Sequence, residues 1–172
     1  TLKHYVGHSY SEGGRNHAPV HLGWRELNDD FMLPFEMAVK LGNAASVMPA
    51  YHDIDNEPVH ASRHLLTTVL REEWGFDGLI VADYIGVTLL HSHHGVAANA
   101  AEAAALAYRA GLDVELPAND CAPHLAAALV GAAVLSDAAF VRDETFNLES
   151  YRKGFFGAFR EEPFDCVWRF RP

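Results

Sequence analysis

Four short strand-like runs punctuate the chain, at residues 2–6, 45–48, 79–82 and 112–116, and a segment of helical periodicity follows each. The third run is the sharpest. Gly78, a turn residue, leads into Leu79, Ile80, Val81 and Ala82, the pattern of a strand buried on both faces of a parallel sheet. Between the first two runs, residues 25–40 carry Leu27, Phe31, Phe35, Met37 and Ala38 at mostly helical spacings, with Pro34 as a point of kinking and Gly42 as a C-terminal cap. The second helix takes Ser62 as its N-cap, lines up Leu65, Leu66, Val69, Leu70 and Trp74 on one face, and stops at Gly75. An alanine-rich third helix over 100–110 stops at Gly111, and a fourth opens near Pro123 and runs through Leu125 and Leu129.

Strands that alternate with helices in this way describe βα units and a parallel sheet with right-handed crossovers. The expected fold class is therefore α/β, with about four βα units. A complete eight-fold barrel takes about 250 residues, so a chain of 172 fits an open α/β sheet or part of a (β/α)8 barrel. Spacing alone leaves both open.

Composition narrows the partners. Hydrophobic residues at 49% and charged residues at 21% suit a globular domain with a core. A formal charge of −10 opposes non-specific attraction to nucleic acid or anionic membranes and suits a neutral or cationic small molecule. The apolar stretch at 122–135 is alanine-rich and broken by Gly131, so no membrane span is expected. Cys121 and Cys166 are too few for a disulfide framework or a thiolate metal site. No leader segment is read at Thr1, where the chain opens on strand-like sequence; the compartment stays open between cytoplasmic and periplasmic or secreted.

Chemistry-bearing residues gather at the ends of the runs: Lys3 and His4, then Tyr51, His52 and Asp53, then Asp83 and Tyr84, then Asp113 and Glu115. In a parallel sheet all the C-terminal tips face one side, where α/β barrels place their catalytic groups. Asp83, at the tip of the clearest strand, is the first candidate, against a plain loop or helix cap. Asp113 and Glu115 lie two apart on a strand, point the same way, and are expected to line the barrel mouth. His91, His93 and His94 lack the usual helical ligand spacing and have no cysteine or carboxylate beside them, so neither a metal nor a cofactor is expected.

Four separate motifs, in order, carry a resemblance. They are Lys3-His4-Tyr5-Val6-Gly7, Ser11-Glu12-Gly13-Gly14-Arg15-Asn16-His17-Ala18-Pro19, Ser46-Val47-Met48-Pro49-Ala50-Tyr51, and Leu70 through Gly78 to Asp83. With Ala110-Gly111-Leu112-Asp113 and Leu116-Pro117 they make residues 1 to about 130 resemble glycoside hydrolase family 3, the β-glucosidase and β-xylosidase family. The resemblance implies a partial (β/α)8 barrel, with residues 1–140 as the C-terminal half of the barrel domain and 141–172 as a barrel-ending helix and an aberrant or truncated tail. It implies Asp83 as the nucleophile of a retaining mechanism, Lys3 and His4 as binders of sugar hydroxyls, and Met48 and Tyr51 as residues of the same pocket, Tyr51 bonded to the nucleophile. Tyr84 stands where tryptophan is common and Ala82 where serine is frequent, which bears on substrate preference. Glu12 and Arg15 belong to a loop that buttresses the site.

The implied partner is a β-linked glycoside or oligosaccharide with a terminal β-D-glucosyl or β-D-xylosyl residue. The resemblance further implies that the first barrel half and an α/β sandwich domain, which usually supplies the acid/base, lie outside this chain, so that the chain alone turns over little substrate. An alternative is a non-catalytic carbohydrate-binding remnant. Another is a β-N-acetylhexosaminidase-type member, which would need an aspartate two residues before a loop histidine; Arg15 occupies that place before His17. The aromatic tail, Phe155, Phe156, Phe159, Phe164, Trp168 and Phe170, fits a surface meant to be covered.

Overall fold

A computed structural model describes residues 1–117 and 120–125. Strands β1 (Leu2–Tyr5), β2 (Ser46–Pro49) and β5 (Leu79–Ile80) lie side by side in a parallel sheet of order β1-β2-β5. Leu2 pairs with Val47 and Lys3 with Met48, while Ser46 pairs with Leu79 and Val47 with Ile80. The fourth expected strand, at 112–116, is reduced to a parallel bridge between Val81 and Val114. The cause is a side chain. The Ile80 N–H, which a neighbouring strand carbonyl would ordinarily accept, donates instead to Asp113 Oδ2 at 2.7 Å, while the Ile80 carbonyl accepts the Asp113 and Val114 N–H groups at 2.9 and 3.2 Å and Ala82 N–H meets the Val114 carbonyl at 2.8 Å.

The first helical stretch is continuous in direction but not in pitch. It runs as α1 (Trp24–Glu26), a π-helical segment (Leu27–Met32) and α2 (Leu33–Lys40). Pro34, expected to kink it, falls in the first turn of α2, where its missing N–H costs least, and the wide π-turns lie directly before it. Trp24, Leu33, Met37 and Leu41 remain exposed along this stretch.

The second helix, His64–Glu73, is also π-helical and buries Leu65, Leu66, Val69 and Leu70. Ser62 acts as the expected cap: its Oγ accepts the Leu65 N–H at 3.3 Å and donates to Glu57 Oε2 at 2.9 Å. The alanine-rich α4 (Ala100–Ala110) has the fullest capping. The Asn99 side chain accepts the Glu102 N–H at 3.0 Å, and Glu102 Oε2 accepts the Ala98 N–H at 2.7 Å, a reciprocal arrangement at the N-terminus. Gly111 closes the helix at φ 114°, a left-handed conformation that favours glycine. The fourth expected helix begins in the described residues, but Leu129 and the aromatic tail lie outside them.

Two elements were not anticipated. Strands β3 (Asp53–Ile54) and β4 (Glu57–Pro58) form an antiparallel hairpin whose turn residues Asp55 and Asn56 both have positive φ, 52° and 66°. That is the mirror-image turn that suits strand twist, and Asp-Asn was its sequence signal. Helix α3 (Gly86–Ser92) follows directly after the site.

The core joins both layers: Tyr5, Val47, Ile80 and Ala82 from the sheet pack with Leu66, Leu70, Leu90, Ala103 and Ala107 from the helices. Fully buried Tyr5 donates its hydroxyl to the Leu65 carbonyl at 3.2 Å and meets Phe35 and Trp74 edge-on. Arg71 ties the layers together. One nitrogen donates to the Phe76 and Gly78 carbonyls at 3.2 and 3.0 Å, and the other reaches Asp113 Oδ2 at 2.6 Å.

Asp113 and Glu115 therefore do not line a barrel mouth as expected. Asp113 is tied to Arg71 and the Ile80 amide. Glu115, 5% exposed, accepts the N–H groups of Cys121 and Ala122 at 3.0 and 2.8 Å. Each carboxylate meets donors that would otherwise be left unpaired inside the fold.

Candidate active site

The C-terminal tips of β1, β2 and β5 converge. Asp83 follows β5 in a tight turn in which its carbonyl accepts the Gly86 N–H at 2.9 Å. Ile85 in that turn has φ 60°, an unusual conformation for a β-branched residue, and its N–H is held by the Leu116 carbonyl at 2.9 Å. The turn aims the Asp83 carboxylate back across the strand ends. Its Oδ1 accepts the Tyr84 N–H at 2.8 Å, and its Oδ2 lies 3.3 Å from His4 Nε2, with the side chain 15% exposed. Such a carboxylate is presented to the outside yet oriented on both oxygens.

His4 reaches Asp83 from β1, across the tip of β2. Burial lowers its pKa, the nearby Asp83 charge works against that, and His8 and Lys3 add to the lowering. Lys3 itself is exposed beside its register partner Met48 and makes no ion pair among the described residues. The contact to Asp83 comes from His4, not from Lys3.

Tyr51 stands just past β2. Its hydroxyl donates to the Tyr84 carbonyl at 2.7 Å. Burial and the neighbouring Asp83 carboxylate push its pKa up to about 12, so it stays a proton donor. Tyr84 contributes its backbone to this cluster while its side chain is 60% exposed. Met48 is half-buried on β2. Glu12 and Arg15 sit apart from the carboxylate: Glu12 Oε1 bonds His21 Nε2 at 2.8 Å, and Arg15 Nε donates to the Glu12 carbonyl at 3.5 Å. Their loop reaches the cluster through His17, whose ring packs edge-on against Tyr51 with centroids 4.7 Å apart.

Several histidines singled out weakly or not at all in the sequence hold this arrangement. His93 Nε2 contacts the His17 carbonyl at 3.1 Å, and His94 Nε2 contacts the Tyr51 carbonyl at 2.8 Å with Asp53 Oδ1 3.8 Å from its other nitrogen. Among the described residues no group of three or more His, Cys, Asp or Glu is placed to hold a metal ion. His60, in a 3-10 turn at Val59–Ala61, is 1% exposed and lies between the Ala50 carbonyl and the Asp83 N–H. No periodicity marks it. A histidine two residues before a helix cap carries no signal that it will meet a strand tip 23 residues later.

Chemically, the cluster offers one oriented carboxylate and, beside it, an imidazole and a phenol able to donate to oxygen. Those groups suit a polyhydroxylated ligand and an electrophilic carbon.

A family model for the glycosyl hydrolase family 3 N-terminal domain matches residues 1–141. A β-xylosidase of Formosa agariphila is 40% identical over 116 residues, 67% of this chain and 16% of that protein. A periplasmic β-glucosidase of Salmonella typhimurium is 33% identical over 116 residues, 67% of this chain and 15% of that protein. Among solved structures, a β-glucosidase from Erythrobacter marinus superposes with a TM-score of 0.75 at 37% identity, over 89% of this chain and 19% of its own. A β-glucosidase from Listeria innocua, solved in complex with glucose, gives 0.70 at 27% identity, over 89% of this chain and 21% of its own. The chain thus spans a small part of each relative's length. With its parallel strands, its motifs and this match over most of its residues, the chain belongs to glycoside hydrolase family 3, through that family's N-terminal domain.

Proposed function

We propose that this chain carries the nucleophile half of a retaining β-glycosidase site, with Asp83 as the nucleophile and a terminal β-D-glucosyl or β-D-xylosyl residue as the sugar attacked. One observation carries the reading: Asp83 is held at a strand tip with both oxygens oriented, beside His4 and Tyr51. An Asp83 oxygen attacks the anomeric carbon as the glycosidic C–O bond breaks, giving a glycosyl ester. A proton donor protonates the departing oxygen, and water then cleaves the ester with net retention.

Lys3 and His4 bind sugar hydroxyls, Lys3 as a donor, and His4 also steadies the carboxylate. Tyr51 and Met48 form the wall beyond β2, and the exposed Tyr84 borders the leaving-group side. The loop carrying Glu12 and Arg15 supports that wall through His17. Residues 1–140 act as the C-terminal half of the barrel domain, and residues 141–172 lie outside the described residues. The proton donor is contributed from outside the described cluster, so the chain alone turns over natural β-glycosides slowly or not at all.

The test separates the nucleophile from the acid. A 2-deoxy-2-fluoro β-glycoside with an activated leaving group needs little acid help, so incubation should add one fluoroglycosyl mass that maps to Asp83. Asp83→Asn should stay unlabelled. A folded chain that takes no label, or labels elsewhere, overturns the assignment.

A further inference from the structure

The backbone of the proposed nucleophile is held by a buried histidine. The Asp83 N–H points at His60 Nε2 at 3.2 Å, and an amide can only donate, so Nε2 must be the unprotonated nitrogen. His60 Nδ1 lies 3.0 Å from the Ala50 carbonyl, which can only accept, so Nδ1 carries the hydrogen. Both neighbours thus demand the same neutral tautomer. The ring is further confined on two faces. Tyr51 stacks over it at 6.3 Å with the planes 20° apart. On another side Gly86, at the start of α3, comes so close that a Cβ there would overlap the imidazole.

This single ring therefore bonds the end of β2 to the end of β5 and supports Tyr51, while making no contact of its own with the carboxylate oxygens. We propose that His60 is a positioning residue for Asp83: its Nε2 anchors the Asp83 amide, and so sets the distance between the carboxylate and the anomeric carbon. The proposal rests on the reading of Asp83 as the nucleophile. A displacement of an attacking group by about 1 Å can cost about 100-fold in rate, so an anchor at the nucleophile's own amide has leverage on chemistry.

Two amide substitutions divide the two bonds. In His60→Asn the side-chain NH2 can replace Nδ1 towards Ala50 but nothing replaces Nε2. In His60→Gln the longer side chain can place its oxygen near the Nε2 position, where it accepts the Asp83 N–H. The measurement is the rate constant of labelling by the 2-deoxy-2-fluoro β-glycoside at saturating probe, together with the probe's dissociation constant. The expected result is a loss of about 100-fold in the rate constant for His60→Asn with little change in dissociation constant, and recovery to within about tenfold of the parent in His60→Gln. Equal rates for the parent and His60→Asn, or an equal loss in both variants, overturns the proposal.

A parent chain that folds but takes no label at Asp83 overturns the functional reading instead. A direct measurement covers variants that fail to fold. In the 15N-labelled parent, a scalar coupling across the hydrogen bond between the Asp83 amide nitrogen and His60 Nε2 is expected, with Nε2 at the shift of an unprotonated acceptor. A protonated Nε2 at neutral pH, or a coupling to no amide, removes the anchor.

Discussion

His4 Nε2 lies 3.3 Å from Asp83 Oδ2, although β2 separates their strands in the sheet. The contact is made above the strand tips, where side chains from β1 and from the turn after β5 lean over β2. It gives the carboxylate an orienting neighbour without a fixed cation. His4→Ala removes that neighbour, and a loss of about 10- to 100-fold in labelling rate is expected, with Asp83 still the labelled residue. Peptide mapping of the variant checks both parts. An unchanged rate would mean the contact is incidental.

Acid should weaken the fold through its buried histidines. Burial holds His60 at about 4, below its ordinary 6.5, and lowers His52 and His94 in the same direction. A depressed folded value means the unfolded chain binds protons first, so this stability is fully present above about pH 6.5 and is lost as pH falls towards 4. For His60 alone the loss approaches roughly 3 kcal/mol once pH is below both values. Urea unfolding at pH 7.5, 5.5 and 4.5 should show the fall, and His60→Gln should flatten it. A midpoint independent of pH would contradict the buried neutral tautomer.

Gly86 is needed for the closeness of α3 to His60. Gly86→Ala would place a methyl group inside the volume of the imidazole, and both neighbours are confined. A destabilisation of about 1–3 kcal/mol is expected, typical of overpacking. The labelling rate should fall with it, because the displaced ring is the one that holds Asp83. Thermal melting and labelling of the same sample measure both. A stable variant that labels slowly would point to ring displacement without loss of fold.

Arg71 and Asp113 brace the sheet from below. The guanidinium bonds two carbonyls and a carboxylate whose pKa burial raises, with the Arg71 charge and the Ile80 amide opposing that rise. Both side chains keep some exposure, so solvent screens the pair. Arg71→Met is expected to cost about 1–3 kcal/mol, mainly through the unpaired carbonyls and carboxylate. Denaturant unfolding reads the loss. Activated-probe labelling at low denaturant should be nearly unchanged, since the pair is remote from the strand tips.

Local pattern made part of the molecule legible. The run Gly78 to Ala82 marked a buried parallel strand, and its end marked Asp83, because a turn glycine followed by continuous apolar content is a property of neighbours along the chain. Ser62, Gly75 and Gly111 marked helix ends for the same reason, since caps satisfy backbone groups within a turn. The resemblance carried by the four motifs implied a pocket of His4, Met48 and Tyr51 around Asp83, and the structure brings His4 Nε2 to 3.3 Å from that carboxylate.

What the sequence did not carry depends on groups brought together from afar. The fourth strand shrank to a bridge because the Asp113 carboxylate took an amide from β5, and Asp113 and Glu115 became anchors for backbone donors rather than a rim. Lys3 and His4 are adjacent in sequence, but only the fold decides that His4 touches the carboxylate while Lys3 stands outside. His60 shows the limit most plainly. Its tautomer, its neutrality and its hold on Asp83 come from a carbonyl 10 residues before it and an amide 23 residues after it, and those meet only when β2 and β5 lie side by side. Periodicity reports which face of an element is buried; it contains no information about which polar group will be waiting there.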